Sequence, residues 1–529
     1  MPEDEESGMT YDAIIVGSGH NGLACAIHLA KQGWKLGVFE RNDVAGGAVQ
    51  TRQVTLPGFR HDLFAMNLGL FAGSPFMRAH GEALMRHGLA FAAASDCFAT
   101  PFADGTWFGV SQNMASNIAR VRSFSEKDAA SWQRMSEAFG TDAPHIFSLL
   151  GSPMTSRDLI SIGWRAWRAR GLPWIIDTLK LLVSSPRAFL DAHFESDRIK
   201  ATLAAWGMHL DFAPDIAGGA LFPYLEAMAD QSFGMALGKG GADVMINAMT
   251  AYLKELGGEL HLDAEVTRID KVNGRASGVT AADGRRFAAR RAVIANVVPQ
   301  IVFGKLLAGG SGDAEVDRRM ISIRPGPGTM MIHLACDALP NWKAGEDLQR
   351  FAYVHLAPSL DMMSRAYHEA QAGLLPGEPV LVVGQPTAID PSRAPAAKHI
   401  LWIQVRTLPA VIRGDAAEKI AGRDWAEIKE AYADRVLAIL ETYAPGFAAK
   451  VLGRAVFSPA DLESENPNLL GGDNLGGSHH LSQNFLFRPI PGWSRYRTPL
   501  EGLYLVGAST WPGAGVGATS GLMLAKMLA

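Results

Sequence analysis

The apolar positions of this chain fall into short separated runs rather than one long one. Residues 11–16 are rich in Ile and Val, the pattern of a parallel strand buried on both faces. Leu23, Ala26, Ile27 and Ala30 then recur at helical spacing, and Gly33 closes the helix. Residues 35–39 read as a second strand, ending at Glu40. Toward the other end, residues 502–507 read as a buried strand and 522–528 as a short helix. In between, a glycine-rich stretch at 234–243 leads into a helix to Leu256, capped by Gly257 and Gly258. Residues 259–269 alternate as one strand, with Leu260, Leu262, Val266 and Ile269 apolar. Residues 292–295 form a further short strand that Asn296 ends. The stretch 122–200 is helix-rich.

Composition narrows the class. A chain of 529 residues is expected to hold more than one domain. With 48% hydrophobic and 19% charged residues it has the material for packed cores and does not read as disordered. The net charge of −4 is spread along the chain and gives no basic patch for nucleic acid. Cys25, Cys97 and Cys336 are far apart and form no CxxC pair. That argues against a disulfide framework, a zinc site and a redox-active dithiol, and for a reducing compartment. The opening Met-Pro-Glu-Asp-Glu-Glu-Ser-Gly is acidic, opposite to a signal or transit peptide. No stretch approaches the ~20 apolar residues that span a bilayer. The expectation is a cytoplasmic protein, with peripheral contact to a membrane left open.

The candidate chemistry sits at the two ends. The first strand runs into Gly17-Ser18-Gly19-His20-Asn21-Gly22, a GxGxxG turn. Gly17 permits the tight turn, Gly19 lets the backbone approach a pyrophosphate, and Gly22 lets the helix pack close to the strand. The helix N-terminus beyond, with His20 and Asn21, offers free N–H groups and a positive dipole end. Glu40, followed by Arg41, lies at the ~20-residue offset that suits ribose hydroxyls, and its charge disfavours a 2′-phosphate. At the far end, the strand at 502–507 continues as Ala508-Ser509-Thr510-Trp511-Pro512-Gly513-Ala514-Gly515-Val516-Gly517 before the last helix, a second glycine-rich helix entry.

Val16-x-Gly-x-Gly-x-x-Gly, Glu40 and then Gly46-Gly47 together resemble the extended fingerprint of flavoproteins with two dinucleotide-binding domains. With residues 503–515, the two ends resemble the phytoene-desaturase branch of the flavin amine oxidase superfamily, which includes carotenoid desaturases and retinol saturases. The stretch 470–480 is similar to its phytoene dehydrogenase-like members. Carotenoid desaturases commonly carry histidine where this chain has Trp511.

The resemblance implies an α/β fold. A Rossmann-type, GR2-like FAD-binding domain would be assembled from residues 1–75, 233–300 and 489–529. An α+β substrate domain with a helical part would take 76–232 and 301–488. It implies FAD held by Gly17, Gly19, His20, Asn21, Gly22, Glu40, Arg41, Gly46, Gly47, Val266, Gly507, Ala508, Gly515, Val516 and Gly517, with a backbone amide near Val266 at the adenine.

The function expected is dehydrogenation or desaturation of a hydrophobic isoprenoid, polyene or lipid-like substrate, by hydride transfer to flavin N5. No second complete βαβ fingerprint is visible, so oxygen or a quinone is the expected electron acceptor. The alternatives are an amine oxidase, a saturase or isomerase using reduced flavin, and a non-catalytic FAD-binding protein. Trp511, His479 and His480 are the catalytic candidates: Trp511 to border the flavin, the histidines as acid–base or substrate contacts. Adjacent histidines rarely share a metal, and no metal site is expected. Trp164-Arg165-Ala166-Trp167-Arg168 admits two readings, a membrane-surface face or a helix packed on the substrate domain with its arginines outward. The oligomeric state is left open.

Overall fold

The computed structural model describes residues 9–529. The acidic stretch at 1–8 lies outside the described residues.

In chain order, β1 (Thr10–Val16) runs into α1 (His20–Lys31), and β2 (Leu36–Phe39) returns beside β1. The chain then leaves this sheet for β3 (Asp96–Pro101) and β4 (Trp107–Ser111). A helical stretch follows that includes α2 (Glu126–Leu150), α3 (Ser156–Val183), α4 (Asp197–Met208) and α5 (Leu221–Phe233). It comes back through α6 (Asp243–Glu255), β5 (Glu259–His261), β6 (Val266–Val272), β7 (Arg275–Ala281) and β8 (Arg286–Ala295). A second excursion holds β9 (Gly328–Cys336), β10 (Tyr353–Leu356), β11 (Val380–Gly384), β12 (His399–Leu408) and β13 (Val451–Phe457). The chain ends with β14 (Leu503–Leu505) and α7 (Thr519–Leu528).

These strands build two seven-stranded sheets among the described residues. The first has the order β6-β7-β8-β1-β2-β5, with β14 also on β8. Its centre is parallel: β1 pairs with β2 and β8, and β14 with β8. Ile14, Ile15 and Val16 are buried there, as a strand covered on both faces requires. The second sheet has the order β13-β9-β12-β11-β10-β3-β4 and is mostly antiparallel. The α/β fold thus combines a Rossmann-type sheet drawn from three separated stretches with an α+β part.

α1 and α7 lie against each other beneath the first sheet. A Cβ at Gly521 would collide with the Asn21 carbonyl oxygen, so glycine alone permits this approach. The two helix N-termini therefore sit side by side.

Two sequence expectations are corrected. The alternating run at 259–269 is two strands: β5 pairs with β2, and β6 pairs with β7. Asp263 between them takes a left-handed φ of 50° and Leu262 is exposed, so the even alternation hides a turn. The strand ending at Ala295 begins at Arg286, because its first half carries exposed arginines that an apolar-run criterion passes over. The stretch α3, which kinks at Gly171 (φ 79°), packs Leu159, Leu181 and Leu182 against the cores and leaves other apolar side chains in the open. Ala166 is its one buried residue, while Trp164 and Trp167 are 56% and 46% exposed.

Candidate functional site

The turn after β1 is built by contacts that exclude larger side chains. Gly17 has φ of 90°, and a Cβ at Gly22 would meet the Gly17 carbonyl oxygen at 2.7 Å. Asn296, at the end of β8, lies under both glycine turns. A Cβ at Gly19 would meet its Nδ2 at 2.5 Å, and one at Gly507 its Oδ1 at 2.9 Å. Sequence reading treats Asn296 only as a strand end, although it is the floor on which both loops rest.

Glu40 is buried at the end of β2. Its Oε2 accepts from the Ser18 N–H at 3.0 Å and the Ser18 hydroxyl at 2.7 Å, and its Oε1 from the Asn42 N–H at 3.1 Å. The carboxylate thereby ties the glycine turn to the second strand. Gly46 and Gly47 dock on the same turn: Gly46 bridges to Gly19, and a Cβ at Gly47 would lie 3.4 Å from the Gly19 Cα. The N-cap of α1, Gly19, has no side-chain cap, and neither has the N-cap of α7, Ala518. The first-turn N–H groups of α1 are left for another acceptor. Burial pushes the His20 imidazole down to about 4, so it stands there neutral.

These elements open onto one cavity of about 610 Å³. Of the residues expected at a cofactor, Gly17, Gly19, His20, Asn21, Glu40, Arg41, Gly47, Val266, Gly507, Ala508, Gly515 and Val516 line it. Gly22, Gly46 and Gly517 do not line it; the first two support the turn from behind. The uncapped α1 terminus, the close glycine backbone and the buried carboxylate form a donor set that fits an adenine dinucleotide: N–H groups and a dipole for phosphates, an acceptor for ribose.

The three catalytic candidates are not on the cavity lining. Trp511 is buried in the core beneath the C-terminal loop. Its indole N–H donates to the Ser152 carbonyl at 2.8 Å, and its ring packs 5.3 Å from that of Phe485. Its position after a strand end suggested a flavin border, but the side chain turns inward to support the loop. His479 is buried, and its Nε2 accepts from the Ala514 N–H at 3.0 Å. Burial, with Arg488 close by, holds it well below the ordinary histidine range, and it braces the loop. His480 reaches Tyr367 and the Asp211 carbonyl rather than the cavity.

The cavity is completed by residues that sequence reading missed. Trp402, Gln404 and Arg406 alternate along one face of β12 and line it, and Tyr353 lines it from β10. Gly384 on β11 pairs with both Trp402 and Tyr353, so the middle of that row carries no side chain. Trp206 and His209 come from the end of α4, and Glu226 from α5. Alternate Gln and Arg on a strand ordinarily mark a solvent face, which concealed their role. Burial pushes the Glu226 carboxyl up to about 7, and burial and Glu226 push Asp230, one turn on, well above the carboxylate range.

A family profile described as flavin containing amine oxidoreductase matches residues 22–519. The mouse pyridine nucleotide-disulfide oxidoreductase domain-containing protein 2 is 29% identical, over 97% of this chain and 92% of its own. A limonene dehydrogenase component of Castellaniella defragrans is 24% identical over 98% and 94%, and the phytoene dehydrogenase of Streptomyces griseus 25% over 96% and 93%. Among solved structures, an oxidoreductase of Methanosarcina mazei matches with a TM-score of 0.63 and 18% identity, covering 98% of this chain and all of the other. A putrescine oxidase variant matches with 0.59 and 15%, covering 98% of each.

Proposed function

The chain belongs to the flavin containing amine oxidoreductase family and is an FAD-dependent oxidoreductase, and from that premise we propose that it dehydrogenates a hydrophobic small molecule. The observation that carries this reading is the cavity, which joins the glycine turns of the first sheet to an aromatic wall on the second. Gly17, Gly19 and the N-terminus of α1 would hold the pyrophosphate of FAD, Glu40 and Arg41 the ribose side, and Val266 the adenine. Gly507, Ala508, Gly515 and Val516 would hold the opposite end. FAD, when bound, supplies the redox chemistry by accepting a hydride at flavin N5.

The chain's own residues shape and dry the space beside it. Phe64, Met66, Trp206 and Trp402 line the cavity and keep water from the reacting bond. Relatives named for limonene and phytoene support an isoprenoid-like body for the substrate. The electron acceptor in this reading is oxygen or a quinone.

The exposed side of α3 supports peripheral membrane contact. Ile160, Trp164, Trp167, Leu172 and Ile176 are exposed there, interleaved with Arg157, Arg165, Arg168 and Lys180. None of those four cations pairs with a carboxylate among the described residues. Tryptophan and unpaired basic groups on this kinked helical stretch suit an anionic bilayer surface. Among the described residues no helix is long and apolar enough to cross a membrane.

A second reading, amine oxidation, is favoured by one feature. The Tyr353 ring lies 5.7 Å from that of Trp402 and 6.2 Å from that of Trp206, an aromatic group that suits an ammonium, with Glu226 on the same cavity. Anaerobic mixing of the FAD-loaded protein with monoterpenes, polyenes, apolar carboxylic acids and primary amines separates the two. Loss of oxidised-flavin absorbance with the apolar compounds is expected. Bleaching by amines alone would transfer the assignment to the second reading, and bleaching by no compound would leave a binding protein.

A further inference from the structure

The other well-buried arginines have either a carboxylate partner or their N–H groups spent on the protein itself. Arg393 is fully buried and pairs with Asp62 and Asp390. Arg435 pairs with Asp415. Arg488 spends its N–H groups on backbone carbonyls, among them those of Ser478, Leu475 and Ala508.

Arg406 is different. It is 6% exposed and lines the cavity from β12. Its Nη2 donates to the His209 carbonyl at 2.9 Å and its Nη1 to Asn474 Oδ1 at 3.3 Å, both neutral acceptors. Its Nε–H has no partner, and no carboxylate pairs with the guanidinium among the described residues. A guanidinium carries five N–H donors, so most of this one is unspent. Burial lowers it only to about 10, which leaves it charged at neutral pH. A buried cation without a counter-charge is among the costlier arrangements in a folded protein, and this one faces the space a ligand enters.

We propose that the substrate carries a carboxylate, which enters the cavity and pairs with Arg406 while the apolar body lies against the aromatic wall. The planar fork of a guanidinium matches a carboxylate in two parallel hydrogen bonds. Two further polar groups line the same cavity without a hydrogen-bond partner among the described residues: the Gln404 amide, two positions before Arg406 on the same face of β12, and the Tyr353 hydroxyl. A pure hydrocarbon would leave all three unsatisfied. An ammonium would meet the charge of Arg406 head-on. Glu226 is held by burial as a group that keeps its proton to about neutrality, and it makes no ion pair with Arg406. The inference rests on the cavity being the substrate site.

The test is a binding series on the full-length, FAD-loaded protein with octanoate, octanol and octylammonium. Binding is read from perturbation of the flavin absorbance and from Tm. Octanoate is expected to bind about tenfold or more tightly than octanol, the scale of a charge-assisted hydrogen bond. Arg406→Gln is expected to remove that preference at unchanged FAD content, and Arg406→Lys to retain part of it. Equal binding of octanoate and octanol, tighter binding of octylammonium, no binding of octanoate, or a preference that survives Arg406→Gln overturns the proposal. Loss of FAD from Arg406→Gln would place the residue in the cofactor cradle and overturns it as well. Should the variant not fold, the order of the three ligands on the wild-type protein decides. Because the readout is binding, its failure is distinct from failure of the dehydrogenation reading, which is judged by bleaching.

Discussion

At the scale of single residues, Glu40, Trp511 and Glu226 each do a different job from their neighbours. Glu40 is already engaged by Ser18 and Asn42, so removing it releases the turn as well as any ribose contact. Glu40→Ala is expected to weaken FAD binding by ~1–3 kcal/mol, measured by titrating FAD into the apoprotein. Trp511→Ala would empty a buried indole site and orphan the Ser152 carbonyl. A loss of ~3–5 kcal/mol of stability is expected, read by urea denaturation; a stability change near zero would return Trp511 to the flavin side. Glu226 supplies a pH effect. Its carboxyl is raised from 4.5 to about 7, so the folded chain binds that proton more tightly than the unfolded chain does. Its stabilising contribution is complete below pH 4.5 and is lost as pH rises through about 7. Glu226→Gln, which cannot ionise, should therefore gain Tm relative to wild type across that window, with Asp230 and Tyr353 nearby unchanged. A Tm difference independent of pH would show that the Glu226 proton is not bound in this way.

At the scale of elements, α3 stands apart because it leaves Ile160, Trp164, Trp167, Leu172 and Ile176 exposed while Leu159, Leu181 and Leu182 pack inward. Amphipathic helices of globular proteins bury such residues, and this one exposes those five beside unpaired cations. The full-length protein is expected to co-sediment with vesicles containing phosphatidylserine and to stay in solution with purely zwitterionic ones. Replacing Trp164, Trp167 and Ile176 with serine should abolish co-sedimentation while FAD content holds. The elements around the glycine turns were legible from spacing alone: β1, α1, β2, β14 and α7 follow local patterns in which glycine, apolar run and helix stop fall in order. β5 and β6 were not separated, because a turn of four residues preserves the alternation of a single strand.

At the scale of the whole molecule, the cavity proposed to hold the cofactor is lined from three stretches distant in sequence: the β1 and β2 turns, the start of β6 and the loop before α7. Bound FAD would therefore add contacts between parts of the chain far apart in sequence. Saturating the apoprotein with FAD at a hundredfold excess over Kd should add about 2.7 kcal/mol of stability, seen as a concentration-dependent rise in Tm. An FAD-independent Tm would count against the cradle. The same scale explains what was readable beforehand. A glycine turn, a helix entry and an acid at the end of the next strand follow one another in local sequence, so the cavity-lining Gly17, Gly19, Glu40 and Gly507 could be picked out from the order of residues. The substrate end has no such local grammar. Arg406 lies on a strand whose alternation imitates a solvent face, and Glu226 lies in an otherwise apolar helix. Trp511 and His479 sit next to the glycine loop in sequence yet turn away from the cavity. Which way each side chain faces follows from packing a sheet, two helices and a loop from remote parts of the chain around one space, and burial and unpaired charge exist only once that packing is complete.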